Sequence, residues 1–79
     1  MLFYEIGDTI RRYRKEKGLT QAALAKEAGI TRQTLAKLER GLLPKISLAS
    51  FVKILDALEL EIEIEEKKPF YYFDASKVL

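Results

Sequence analysis

Cysteine and histidine are both missing from this 79-residue chain. Without cysteine there are no disulfides and no thiolate metal sites. Without histidine the usual zinc ligand, the usual general base and every His-dependent catalytic triad are gone as well. Most enzyme chemistries are thereby excluded, and the expectation is a protein that is not an enzyme and needs no cofactor or metal. Long apolar runs are lacking too. Met1-Leu2-Phe3-Tyr4 is apolar but is interrupted at once by Glu5 and Asp8, no basic segment precedes it, and no other stretch is apolar for long enough to cross a membrane. The reading is a soluble, cytoplasmic chain of one domain, short enough that its core is small and a partner would help to stabilise it.

What is there is unevenly charged. Met1 to Leu58 carries 11 Lys/Arg against 6 Asp/Glu, whereas Glu59 to Leu79 carries 3 Lys against 6 Asp/Glu, so a body of +5 precedes a tail of −3. A basic body suits a polyanion, and an acidic tail held away from it leaves that contact intact. An ordinary solvated mixed surface accounts for charges of this size equally well.

Apolar spacing divides the body into four helices. Ile6, Ile10 and Tyr13 recur at helical intervals and Gly18 ends the first helix. Thr20 is an N-cap for a second helix whose inward face is Ala23, Leu24 and Ala28, and Gly29 makes the turn after it. Thr31 caps a third helix with Leu35 and Leu38 inward, stopped at Gly41. Leu42-Leu43-Pro44-Lys45-Ile46 reads as a loop, because proline disfavours helical geometry in the residue before it. Ser47 caps a fourth helix through Leu58, with Leu48, Phe51, Val52, Leu55 and Leu58 as its apolar stripe. Two short helices across a tight glycine turn, with Thr-Arg-Gln-Thr opening the second, form a helix-turn-helix pattern in which the third helix of the chain faces a DNA major groove.

The period then changes from helical to alternating. Glu59-Leu60-Glu61-Ile62-Glu63-Ile64-Glu65 has the two-residue repeat of a half-buried strand. A lone strand leaves its backbone groups unpaired and its apolar face uncovered. One reading pairs it antiparallel with the same strand of a second subunit, placing Leu60, Ile62 and Ile64 against the helices of both. The competing reading pairs it with Phe70-Tyr71-Tyr72-Phe73 in a hairpin around Lys67-Lys68-Pro69. The chain thus divides into a body at 1–58, a dimerisation strand at 59–66 and an aromatic tail at 67–79.

Arg14, Gly18-Leu19-Thr20-Gln21, Leu24-Ala25, Ala28-Gly29-Ile30, Leu35 and Leu38-Glu39-Arg40-Gly41 carry a resemblance to the XRE family of helix-turn-helix regulators, which includes phage repressors and Cro. The resemblance is tightest from Tyr13 to Gly41 and extends more loosely over Ile6 to Leu58. It implies a mainly α fold, a lambda-repressor-like helical bundle, to which the C-terminal β-strand would be added across a dimer. The run of a fourth helix into LELEIEI more particularly resembles HipB-type antitoxins, which pair C-terminal strands between subunits and bind a kinase-fold toxin.

Within this resemblance Arg32 and Gln33 fall on the first turn of the third helix, the turn that meets base edges. Arginine bonds guanine bidentately through O6 and N7, and glutamine does the same to adenine through N6 and N7. Lys37 lies one turn further along the same face. Gln21, on the first turn of the second helix, is placed for a phosphate at a helix N-terminus. Thr31 and Thr34 can donate hydroxyls to phosphate, although capping explains Thr31 equally well. Arg40 and Lys45 sit where they can grip the flanking backbone, and such contacts fix register without reading sequence. Arg11, Arg12 and Lys15 offer the same charge but read more simply as a solvated helix face. The resemblance gives Arg14 and Glu39 a different part, a partly buried salt bridge tying the first helix to the third.

Other constellations carry less. Lys45 and Ser47 suggest a Ser–Lys nucleophile, but Ser47 before Leu48 has an N-cap to make and no oxyanion hole adjoins it. Glutamates on alternate positions of an exposed strand do not converge on one cation. Phe70, Tyr71, Tyr72 and Phe73 would be a sticky patch if exposed, so they either pack on the dimer or dock a protein partner. The expected function is a homodimeric, sequence-specific DNA-binding repressor on a near-palindromic operator. It would be the antitoxin of a HipA-like kinase-fold toxin, a stand-alone regulator, or a protein whose main role is neutralising its partner.

Overall fold

The computed structural model describes residues 1–67. Four helices follow one another: α1 at Phe3–Glu16, α2 at Gln21–Ala28, α3 at Arg32–Glu39 and α4 at Leu48–Ala57, with one 3-10 turn at Leu43–Lys45 inside the loop expected there. The helix starts are set locally. The hydroxyls of Thr20, Thr31 and Ser47 accept from the backbone N–H groups of Ala23, Thr34 and Ser50, satisfying donors that the first turn leaves without a partner.

The helix ends repeat one device. After α1, α2 and α3 the residue that leaves the helix is Gly18, Gly29 or Gly41, at φ of 70°, 71° and 83°. In each case two backbone bonds close the end; for α2 they run from Gly29 N–H to the Lys26 carbonyl at 3.2 Å and from Ile30 N–H to the Ala25 carbonyl at 3.0 Å. This is the Schellman arrangement, whose left-handed position favours glycine. After α4 the same two bonds form, Glu59 N–H to Asp56 at 3.0 Å and Leu60 N–H to Leu55 at 2.8 Å. The left-handed residue there is Glu59, with φ 60°.

Packing joins α1 to α3, α2 to α3 and α2 to α4. Ile10, Leu24, Ala25, Ala28, Leu35, Leu38, Ile54, Leu55 and Leu58 form the buried core, flanked by half-buried residues that include Ile6, Tyr13 and Phe51. Each fully buried Leu or Ile contributes roughly 1.5–3 kcal/mol relative to exposure. Gly7 of α1 is buried at the end of α3. A Cβ there would collide with the Leu38 carbonyl oxygen and come within 3.0 Å of that of Glu39. Only a bare backbone lets the two helices come so close.

Three expectations need correction. The apolar stripe of α4 is Phe51, Ile54, Leu55 and Leu58; Ile54 is fully buried, while Leu48 is 72% exposed and Val52 39%. Positions 51, 54, 55 and 58 obey the i, i+3, i+4, i+7 rule, whereas 48 and 52 belong to the neighbouring stripe that meets it at Leu55. On α2, Ala25 is buried in the core and Ala23 only half-buried. The strand expected at 59–66 forms no β-ladder among the described residues: Leu60 is half-buried against the core, and 61–67 carries neither helix nor strand. Within one described chain those backbone groups find no neighbouring strand. The hairpin reading and the aromatic positions Phe70, Tyr71, Tyr72 and Phe73 lie outside the described residues.

Candidate nucleic-acid interface

The Thr31 cap fixes the start of α3 and therefore which side chains its first turn presents. Thr31 Oγ1 accepts from Thr34 N–H at 3.1 Å, and the two hydroxyls are 2.9 Å apart. Beyond the cap Arg32 and Gln33 are exposed, and Lys37 is exposed one turn later. Leu35 and Leu38, on the opposite side, are fully buried, so the polar face of α3 is held outward by its apolar one. Arg40, at the C-cap of α3, and Lys45, in the 3-10 turn, are exposed; Thr34 and Gln21 are half-buried.

Behind this surface lies a buried ion pair. Arg14 Nε donates to Glu39 Oε2 at 2.8 Å, Arg14 Nη2 to Glu39 Oε1 at 2.9 Å, and Arg14 Nη1 to the Leu19 carbonyl at 2.8 Å. The two side chains are 9% and 2% exposed. Hydrogen bonding to Glu39 raises the Arg14 pKa above its ordinary value, against the lowering effect of burial. The stabilisation carried by the guanidinium's own protonation is present below the ordinary arginine value and is lost as pH rises through the folded one. Bidentate pairing of this kind fixes geometry as well as charge. No buried side-chain polar atom lacks a hydrogen-bond partner among the described residues.

The pair reaches the surface through Gln21. Gln21 Nε2 donates to Glu39 Oε1 at 3.3 Å, and Gln21 Oε1 accepts from Arg32 Nη1 at 3.1 Å. Arg14, Glu39, Gln21 and Arg32 thus form one hydrogen-bonded chain from the interior to the first turn of α3, a link that spacing along the sequence does not reveal. One signal does point to half of it: Gln21 and Arg32 each follow a threonine cap, so they hold equivalent positions on successive helices. The competing sites stay apart from this chemistry. Ser47 Oγ accepts from Ser50 N–H at 3.0 Å as a cap, and among the described residues no group of three or more Asp or Glu is arranged to hold a metal ion. No helix among them is long and apolar enough to cross a membrane.

Two short helices across a glycine turn, the second capped, polar outward and anchored inward, define a helix-turn-helix protein. The helix-turn-helix family model matches residues 10–64. The regulator SinR of Bacillus subtilis (strain 168) is 33% identical over 69 residues, which are 85% of this chain and 62% of SinR. The chain therefore spans less than two thirds of the length of that relative. A solved structure of SinR in complex with DNA aligns with TM-score 0.63 and 36% identity over 71% of this chain and 89% of that one. The restriction-modification controller protein C.AhdI from Aeromonas hydrophila aligns with TM-score 0.68 and 34% identity over 75% and 88%. A chain of a HipA–HipB–O2–O3 complex aligns with TM-score 0.77 and 29% identity over 86% and 94%. This chain belongs to the XRE-type helix-turn-helix family.

Proposed function

We propose that the protein is a sequence-specific DNA-binding transcriptional repressor that works as a homodimer in the cytoplasm. The observation that carries this reading is the first turn of α3, where Arg32 and Gln33 stand exposed directly after the Thr31 cap on a helix whose other face is core. Arg32 and Gln33 read base edges in the major groove, and Lys37 reaches a base or a phosphate one turn further on. Gln21, Thr31, Thr34, Arg40 and Lys45 surround that face and hold the phosphates. Similarity to a SinR chain solved in complex with DNA supports the assignment. Bound at a promoter, the protein excludes polymerase and needs neither cofactor nor metal.

Dimerisation through residues 59–66 places the two α3 helices in successive major grooves, with half-sites about 34 Å apart on a near-palindromic operator. The apolar ground beside that segment supports it. Leu60 and Ile62 help to wall an open groove of about 490 Å³ with Met1, Ile6, Phe51 and Leu55, and Ile62 and Ile64 are 49% and 93% exposed in the single chain.

The test replaces Arg32 and Gln33 with alanine and compares binding to a duplex selected by the wild-type protein from a randomised library with binding to random DNA. Each lost bidentate contact is expected to remove about 1–3 kcal/mol of discrimination, while salt-sensitive affinity for random DNA persists. Equal losses on both DNAs overturn base reading by these residues.

A narrower version is an antitoxin whose operon it represses, suggested by the alignment of 86% of this chain with a chain of the HipA–HipB–O2–O3 complex; SinR matches 85% of this chain, so a stand-alone regulator fits the comparisons as well. On this version a HipA-like kinase-fold toxin docks on the tail at Phe70, Tyr71, Tyr72 and Phe73. A kinase-fold protein should co-purify in stoichiometric amount from native cells after nuclease treatment. Deleting residues 70–79 should abolish that complex and spare DNA affinity. Purification without such a partner leaves a stand-alone regulator.

A further inference from the structure

Two hollows share Leu60, Glu61 and Ile62. The smaller is bounded on α4 by Val52 and Asp56. The larger is the open groove of about 490 Å³ toward α1, lined among others by Ile6, Phe51 and Leu60. The charged side chains that line it are Glu5, Glu61 and Glu63, all acidic. An apolar trough with a negative rim selects its occupant by charge as well as by area. A second copy of residues 59–66 suits it badly, because Glu59, Glu61, Glu63, Glu65 and Glu66 bring like charge against the rim. The stretch that follows suits it well. Lys67-Lys68-Pro69 precedes Phe70-Tyr71-Tyr72-Phe73, two cations ahead of four aromatics.

We propose that this groove on each subunit of the dimer receives the aromatic tail of the other subunit, with Lys67 and Lys68 against the acidic rim. The proposal rests on the reading that residues 59–66 pair across a dimer. Antiparallel pairing of that segment sets Glu66 of one subunit opposite Glu59 of the other, beside the Leu60 that lines the groove. From there Phe70 and Phe73 are four and seven residues on, roughly 13 and 23 Å of extended chain. A tail returning to its own groove needs a tight reversal instead. Apart from Pro69, none of the usual turn residues stands between Ile64 and Phe73. Strand pairing uses backbone groups of the second subunit and docking uses its aromatic side chains, so the two hold together. A toxin bound to Phe70–Phe73 would first have to draw the tail out of the groove.

The chain has no tryptophan, so Phe73→Trp places a single reporter in the tail. The experiment follows its emission in the full chain beside sedimentation and DNA binding. In the dimer the emission should be blue-shifted, as for an indole removed from water. Glu5→Lys reverses one charge of the rim on α1 and should move the emission to the red, while dimer and DNA affinity persist. Lys67→Glu with Lys68→Glu, beyond the helical body, should move it likewise, so damage to the folded body is not the cause. To tell the subunits apart, a chain carrying Glu5→Lys and Phe73→Trp is unfolded and refolded with an excess of wild-type chain, which has no tryptophan to emit. Blue emission should return, because the reporter now meets an intact groove on its partner. Red emission in that mixture overturns the proposal. So does a dimer whose emission is red from the start, or blue and indifferent to either charge reversal. A protein that sediments only as a monomer removes the dimer reading, and the proposal falls with it.

Discussion

The outer face of α3 and the outer face of α4 are both exposed, but they are made of different material. On α3 the exposed residues are Arg32, Gln33 and Lys37; on α4 they include Leu48 and Val52 beside Lys53. The inner faces of the two helices are alike, Leu35 and Leu38 on one and Ile54, Leu55 and Leu58 on the other. Polarity therefore separates inside from outside on α3 and fails to do so on α4. A charged outer face is satisfied by water or phosphate, whereas an apolar one near Leu60 and Ile62 is the kind of surface a second protein chain covers. The buried ion pair complicates the rule from the other direction, because Arg14 and Glu39 are charged and lie inside.

That exception supplies the sharpest test. Arg14→Ala leaves Glu39 buried without its cation and should destabilise the fold by about 3–5 kcal/mol. The effect falls on stability more than on base reading, so a circular-dichroism melt should shift while discrimination between operators, measured on the fraction still folded, changes less. An unchanged melt would mean that the interior does not depend on the pair, and the distinction between inner and outer residues of α1 and α3 would blur.

On α4 the comparison is tested by two substitutions of the same kind. Ile54→Ala removes a fully buried side chain and should cost about 2–5 kcal/mol. Leu48→Ala removes a side chain that is 72% exposed and should stay within about 0.5 kcal/mol in the monomer. Urea denaturation at low protein concentration reads both. Similar losses for the two would show that Leu48 is covered after all.

This pair of residues also marks how far the sequence could be read. Four helices, their threonine and serine caps and their glycine stops are local properties, and each is visible in a few neighbouring residues. The stripe of α4 is not local in that sense. With Leu48, Phe51, Val52, Ile54, Leu55 and Leu58 all apolar, two adjacent stripes compete, and only the position of α2 against the helix decides between them. Gly7 is the same kind of case, since nothing near it in sequence announces that the end of α3 will pack on it.

The site divides likewise. The outward placement of Arg32, Gln33 and Lys37 follows from the Thr31 cap and helical periodicity. Arg14 and Glu39 stand 25 residues apart, a separation that no pattern bridges; family resemblance pairs them, and the fold brings them to 2.8 Å. The two bonds of Gln21 are not set by any local pattern, because they depend on how the first turn of α2 meets both ends of α3. Alternation at 59–65 states a preference for extended structure, but it cannot name the strand that would satisfy it.

A gain, smaller than the losses at Arg14 and Ile54, concerns the place where the helical body gives way to that alternating segment. α1, α2 and α3 end on glycine in the left-handed region, and α4 ends in the same bonding pattern on Glu59. A residue with a Cβ gives up about 1–2 kcal/mol there, and replacing it with glycine returns part of that to greater freedom of the unfolded chain. Glu59→Gly should therefore stabilise the protein by about 0.5–1 kcal/mol. The substitution also removes the Lys17–Glu59 ion pair, but at 3.6 Å with Glu59 85% exposed this contributes little. If thermal melts show Glu59→Gly to be destabilising, then the glutamate side chain supports the start of the 59–66 segment more than its backbone strains the end of α4. Repeating the melts across a range of protein concentrations would show where that support arises, since a contribution made through a second subunit grows with concentration and one made within the chain does not.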